Sequence, residues 1–546
     1  MLEQQIKPSI AKLSLPRTIR PVGAYTMFSL IWHTIDGKQY AISLDAYTGN
    51  LLKIDPLTES ATVLNCHTTE QFRDATGISI SGDTLWVAKD NGIFYCSMTT
   101  FELLPFMELP NKINGIAVSE GAVYASSQEV NCIFVVGRAT RGLIRVMPAP
   151  GIGPEWLTIH EGDLWVSDRG EETIYQLDPK TADVKMRALT PFANPTGLDF
   201  CGSDLYVVYT GDEFYIRDNP NDPDPLSVQV RDRTFIHQLE LIHVVDQTPR
   251  YTLSNGYLVE MTYLEEISQE EPKDVHNLTW RIALPTDTDR QKLRSIDPMG
   301  IPFTEEIVDG QRVAVFNIGE LRAGEAKLFG WKATLELRGI KYEVPFEEAA
   351  TDEMPSEHLQ VTYLVDDDGL EMMHPTVMAA AREAVGDETN ILKKMLLIRD
   401  YVYDKLSYRM QPYIQSPDEV LVRGTASCGE YVGVLLALAR LNGIVCRTVG
   451  RYKCPPFADQ HNLPLDQYYN HVWIEFYIPG IGWLPMESNP DDTGVRPYPT
   501  RFFMGLPWYH VEIGKGITFE TIKPQPFSIG ELAVNHVRFK ILKELD

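Results

Sequence analysis

Two stretches in the last third of the chain hold residue types that could together move an acyl group. The first is Ser427-Cys428-Gly429-Glu430-Tyr431, followed by the apolar run from Val432 to Leu441 and then Asn442-Gly443. Such a run reads as a helix stopped by Asn and Gly, which places Cys428 at or near its N-terminus. The partial positive charge and unpaired N–H groups at that end favour a thiolate over a thiol. The same N–H groups can receive the oxyanion that forms on an attacked carbonyl. A thiolate also needs a base. Asn470-His471-Val472-Trp473-Ile474-Glu475-Phe476-Tyr477 reads as a strand, Pro479-Gly480-Ile481-Gly482 as its turn, and Trp483-Leu484-Pro485-Met486-Glu487 as the returning strand. With an odd-length loop, His471 and Glu487 share a face as diagonal neighbours; an even loop separates them.

These side chains need a frame. Ile391, Met395, Ile398, Val402 and Leu406 recur at helical spacing and predict an amphipathic helix ending near Tyr408. Asn442-Gly443-Ile444-Val445-Cys446-Arg447-Thr448-Val449-Gly450-Arg451-Tyr452 reads as a helix stop followed by a strand. The ordered set of Cys428 with its helix, this strand, His471 with its strand, and Gly482-Trp483-Leu484-Pro485-Met486-Glu487 resembles the core of the transglutaminase-like superfamily, over about residues 360–515. The resemblance implies a papain-like α+β fold and a Cys-His-Asp triad. Cys428 and His471 match its first two positions. Glu487 stands where the family usually has Asp, one methylene longer, with Asn489 and Asp491 nearby as alternatives for the third role.

Other groups have plainer readings. Cys446 is expected in the core, Cys454 in a loop and His461 in a polar loop. Trp473 is expected to pack beneath the site. Tyr408 and Gln411 precede the nucleophile and are candidates for helping to hold an oxyanion. Asp366-Asp367-Asp368-Gly369 reads as a turn. No phosphate-binding Gly-rich loop and no Cys-x-x-Cys pair occurs, so neither a cofactor nor a metal is expected.

Ahead of this segment lies a repeat. Gly82-Asp-Thr-Leu-Trp-Val, Gly121-Ala-Val-Tyr-Ala, Gly162-Asp-Leu-Trp-Val and Gly202-Ser-Asp-Leu-Tyr-Val share a pattern, with a looser copy at Asp36-Gly-Lys-Gln-Tyr-Ala-Ile. Their anchors Tyr40, Leu85, Val123, Leu164 and Leu205 set a period of about 40 residues. Short β-rich runs at that spacing suit four-stranded blades. A propeller of five or six blades is expected over residues 1–245. The stretch Pro16–Phe28 could pair with Leu226–Leu241 to close a sixth blade. Alternating runs such as Tyr257–Tyr263, Leu278–Leu284, Val313–Asn317 and Ala333–Leu337 predict a β-sandwich over 246–345. Leu284-Pro-Thr-Asp-Thr-Asp-Arg-Gln291 is similar to a loop in the sandwich that precedes many transglutaminase-like cores. A linker over 346–359, the core over 360–520 and a C-terminal extension over 521–546 complete a multidomain chain.

The formal net charge of −26 disfavours nucleic acid as a partner. No run of about 18 apolar residues is present, so no membrane span is expected. Seven scattered cysteines suit a reducing cytoplasm better than a disulfide framework. The resemblance implies cysteine-dependent acyl transfer on a protein or peptide amide, by hydrolysis (peptidase or amidase) or by cross-linking. The propeller would recognise a protein partner. The alternative is a non-catalytic protein-binding scaffold.

Overall fold

The computed structural model describes residues 15–24, 26–218, 221, 226–268, 274–350, 353–367, 369–411, 413–456, 461–523 and 529–545. Residues 1–14 of the expected propeller and Asp368 of the acidic turn lie outside them. The chain is mostly β and divides into two compact units: Met1–Lys185 with Phe192–Glu240, and Met186–Pro191 with Leu241–Asp546.

The first unit contains five four-stranded antiparallel sheets that begin with strands Met27–Ile35, Ala75–Ser81, Gly115–Val118, Pro154–His160 and Pro195–Cys201. Each repeat anchor lies in the second strand of its sheet. Leu85, Val123 and Leu164 are fully buried there, because alternate residues of an inner strand face neighbouring sheets. The tight turn between the first two strands comes from glycines with positive φ, such as Gly82 and Gly162. The first strands of successive sheets pack side by side, and Pro195–Cys201 packs against Met27–Ile35. The N-terminal strand Thr18–Ile19 pairs with Ile236–His237, as expected for that stretch of chain, but it completes the fifth sheet. No sixth sheet of this kind occurs among the described residues.

In the second unit, one sheet runs in the order Ile242–Val244, Arg250–Ser268, Ala326–Glu343, Gln291–Gly300. A second runs Thr304–Val308, Gln311–Leu321, Val275–Ala283, Glu520–Lys523. Trp280, Phe316, Phe329 and Trp331 are fully buried. The residues expected as a C-terminal extension contribute strands: Ala533–Glu544 pairs along Arg250–Ser268, and Glu520–Lys523 pairs with Val275–Ala283. The stretch expected as a linker is partly structured as well. Ala349 is buried in the helical core, and Ser356 caps the helix Glu357–Tyr363.

A four-stranded sheet follows, ordered Gly482–Met486, Asn470–Ile478, Cys446–Lys453, His510–Ile513. The helix Cys428–Leu441 packs on one face, where Ile474, Phe476 and Ile478 join Val434, Leu435 and Leu438 in a core. The helix Ile391–Lys405 packs on the same core through Met395, Ile398 and Val402. On the other face, Trp473 and Val449 meet Tyr251, Leu253 and Ile340 of the first sheet of this unit.

The loop Leu284–Gln291 fastens the outer strand of this sheet. The Arg290 guanidinium donates to the carbonyls of Pro507, Trp508 and His510 and lies 3.3 Å from Glu512. The Gln291 amide donates to the Glu512 carbonyl.

Candidate active site

Ser427 is the N-cap and Cys428 the first residue of its helix. The Ser427 N–H donates to Glu430 at 2.8 Å in a capping box, and Arg423 holds the same carboxylate. A polar side chain that reaches back in this way fixes the helix start, and so the sulfur. In the hairpin, Ile478 pairs with Gly482 and Ile474 with Met486. The turn is therefore odd in length, and His471, Trp473 and Glu487 share a face.

His471 Nε2 and Glu487 Oε2 are 2.7 Å apart. The other ring nitrogen is left for the thiol, which lies near enough to His471 for each group to shift the other. Burial alone would push the Cys428 thiol up. The hydrogen bond and charge of His471, with the N–H groups of Val472 and Gly429, outweigh it and bring the thiol below its ordinary range. Burial would lower His471, but the Glu487 charge and the bonds to Cys428 and Glu487 raise it. Both shifts favour a thiolate–imidazolium pair.

The structure adds His510, which the sequence reading missed. Its Nε2 is hydrogen-bonded to Glu487 Oε1, and the Ser488 N–H donates to Glu487 Oε2 at 2.9 Å. Burial would raise the Glu487 carboxyl, yet the two imidazoles hold it well below the usual carboxylate range. Burial brings His510 down to about 4, so it is neutral near pH 7. A neutral ring facing a carboxylate carries its proton on Nε2. His510 comes from His510–Ile513, the strand clamped by Arg290. The only signal for it in the sequence is a short apolar-alternating run with no motif around it.

The other expectations resolve as follows. Asn489 accepts a bond from the Ser488 hydroxyl and does not reach His471. Asp491 is taken by Arg501 at 2.8 Å and by the Phe502 N–H, with Arg399 at 3.9 Å. Trp473 is fully buried, its ring 6.4 Å from that of His471. Tyr408 is half exposed and near enough to Cys428 for the sulfur, after burial, to raise its phenol. Among the described residues, no bond joins Gln411 to the site. Cys446 is buried and pushed up to about 12. Cys454, expected as a loop thiol, is fully buried. His461 is half-buried, 3.3 Å from the Pro455 carbonyl. Asp367 pairs with Arg440.

The ligand atoms of His471, Glu487 and His510 lie within 4.8 Å of one another, the one grouping of three metal-ligating side chains among the described residues. A metal there would displace the two imidazole bonds to Glu487. No helix among the described residues is long and apolar enough to cross a membrane.

Residues 378–488, which include Cys428, His471 and Glu487, match the family model of the transglutaminase-like superfamily core. This segment is similar to a transglutaminase-like core. No curated protein matches the chain. Among solved structures, a candidate cysteine protease from Cytophaga hutchinsonii is similar at 16% identity, over 54% of this chain and 93% of that one, with a TM-score of 0.36. The glutaminyl cyclase of Myxococcus xanthus is similar at 10% identity, over 42% of this chain and 97% of that one, at 0.29. Virginiamycin B lyase from Staphylococcus aureus is similar at 16% identity, over 39% and 72%, at 0.25. No role in the transglutaminase-like core rests on these three likenesses.

Proposed function

We propose that the chain is a cysteine-dependent acyl-transfer enzyme that acts on a protein or peptide amide, with Cys428 as nucleophile, His471 as base and Glu487 as the orienting carboxylate. The observation that carries this reading is the buried His471–Glu487 pair, 2.7 Å apart, acting on a half-buried Cys428 at a helix N-terminus. The Cys428 thiolate attacks the amide carbonyl, and the sulfur–carbon bond forms as the carbon–oxygen π bond opens to an oxyanion. The N–H groups at the helix start face that charge. Collapse of the intermediate breaks the carbon–nitrogen bond, and the His471 imidazolium gives its proton to the leaving amine. His471 then takes a proton from water, and the hydroxide attacks the thioester to release acid and regenerate Cys428. Water is always present, whereas cross-linking needs a bound second amine, so hydrolysis is the favoured outcome.

The domain reading is part of the proposal. The five sheets of the first unit, with their first strands packed in a ring, form a five-bladed propeller that recognises a protein partner. Residues 246–345 form a sandwich domain ahead of the core. A reducing, cytoplasmic setting suits a chain in which none of the seven cysteines is in a disulfide.

The test is alkylation of the native chain with iodoacetamide from about pH 5 to 9, with the modified cysteines mapped. Fast labelling of Cys428 well below pH 8, lost on unfolding, is expected. Slow labelling of Cys428 at the pace of an ordinary thiol would remove the enzymatic reading and leave the scaffold.

A further inference from the structure

The buried lysines and arginines among the described residues are Arg290, Lys341, Arg399, Arg440 and Lys453. A buried charge costs free energy unless it is paired or hydrogen-bonded. Arg290 has Glu512 and three carbonyls within reach, and Arg399 has Asp400 and Asp491. Arg440 has Asp367, and Lys341 donates to the carbonyls of Thr500, Arg501 and Phe503. Lys453 differs. It is 7% exposed, and among the described residues no carboxylate lies within ion-pair distance and no hydrogen bond ends on its ammonium. The Tyr468 ring centroid lies 4.4 Å from Nζ.

Lys453 sits beside the chemistry. Its backbone pairs with that of His510. Burial lowers its ammonium, and Glu487 and then Cys428 are the charges that support it. Neither is a dedicated partner. Both Glu487 oxygens are already engaged, by His471 and the Ser488 N–H on one side and His510 on the other. The thiolate has the His471 imidazolium and loses its charge when the thioester forms. A substrate carboxylate beside the scissile amide would give the ammonium the partner that the described residues do not supply. Tyr468 and Tyr408, the first exposed and the second half exposed, lie near each other and near Lys453 and Cys428, and can cover the apolar part of a chain.

We infer that Lys453 is a substrate-binding residue, a subsite for a carboxylate next to the scissile amide, either an acidic side chain or a free chain terminus. This rests on the acyl-transfer reading of Cys428.

Two alkylating agents of one size test it. Iodoacetate carries a carboxylate and iodoacetamide does not, so the ratio of their rates at Cys428 cancels the thiolate fraction. Lys453→Met keeps the stem and removes the charge. The ratio is expected to fall by on the order of tenfold, the scale of one charge pair in a partly buried site. Lys453→Arg keeps the charge and is expected to keep the ratio within about threefold, and melting curves of both variants check folding. If Lys453→Met leaves the ratio within twofold while both rates stay fast, the subsite is overturned and the acyl-transfer reading stands. If it slows both agents equally, Lys453 serves only the thiolate, and the subsite is again overturned. If wild-type Cys428 reacts slowly with both, the acyl-transfer reading falls, and the subsite with it. Protection of Cys428 by tripeptides then names the source. Stronger protection by a glutamate peptide with an amidated end assigns the side chain, and by a neutral peptide with a free end, the terminus. Equal protection by the glutamine peptide with an amidated end, or no protection by either acid, overturns the carboxylate preference.

Discussion

Glu487 and His510 are joined by a hydrogen bond between two side chains that are each 1% exposed. Glu has one more rotatable bond than the Asp usual at this position, and so one more way to swing from the imidazole it must orient. His510 takes Oε1, which leaves Oε2 fixed on His471. The longer side chain is matched by a second anchor from a strand that Arg290 holds in place.

His510→Phe should therefore loosen the site without removing any group in contact with the nucleophile. A hydrogen bond to a charged group contributes about 1.5–3 kcal/mol, which is roughly 10–100-fold in a rate constant. The alkylation rate of Cys428 at pH 6 should fall by that factor. His510→Gln, which keeps an N–H donor, should recover part of it. Equal rates for Phe and wild type would show that Glu487 needs no second anchor.

Glu487→Gln keeps the shape and removes the charge. The His471 imidazolium is raised by that charge, and the Cys428 thiol is lowered by the imidazolium. Without Glu487, His471 titrates lower and Cys428 higher, so the window in which the ion pair exists narrows from both sides. The acid limb of the alkylation profile should move upward by about one pH unit or more, a tenfold loss at pH 6 per unit. An unmoved limb would mean that the carboxylate does not support the pair.

Asp491, as a candidate for the third role, is told apart from Glu487 by stability instead of reactivity. It is 1% exposed and serves Arg501 and Arg399. Asp491→Asn leaves buried guanidinium charge short of its partner, at a cost of about 3 kcal/mol, while the alkylation profile of Cys428 should stay in place. Denaturant unfolding and the pH profile, measured on one sample, check both halves.

Much of this site was legible in the sequence because it is built from local order. A nucleophile at a helix start and a hairpin of odd turn length are set within short runs, and the positions of Cys428, His471 and Glu487 follow from them. His510 and Lys453 were not legible. They become neighbours only through pairing of the strands Cys446–Lys453 and His510–Ile513. The repeat exposed the five sheets because each closes on itself through a Gly turn. The last strand of the fifth sheet, Thr18–Ile19, comes from the start of the chain; its pairing with residues 226–241 is legible in the sequence, its place in the fifth sheet is not. The strand Ala533–Glu544 was not legible: Val537, Phe539 and Ile541 alternate as a strand should, but their partner, Arg250–Ser268, is remote in sequence.

A further consequence lies between Tyr263, Glu265 and Glu520 of the second unit. The Tyr263 hydroxyl donates to Glu265 Oε1 and is 3.4 Å from Glu520 Oε2, and Glu265 is fully buried. One hydroxyl proton cannot satisfy two carboxylates, so the pair holds a proton of its own. Burial first, and then the Glu520 charge, push Glu265 up to about 8 from an ordinary 4.5. Below pH 4.5 the folded and unfolded chains both carry this proton, and the stability it supports is complete. As the pH rises, the unfolded chain releases the proton first, so stability falls until the folded group titrates near 8, and then levels off. Glu265→Gln carries no such proton. Its stability relative to wild type should climb by roughly 2–4 kcal/mol between pH 4.5 and 8.5, read from urea unfolding at each pH. A difference that stays flat across that range would mean that Glu265 is ionised in the folded chain.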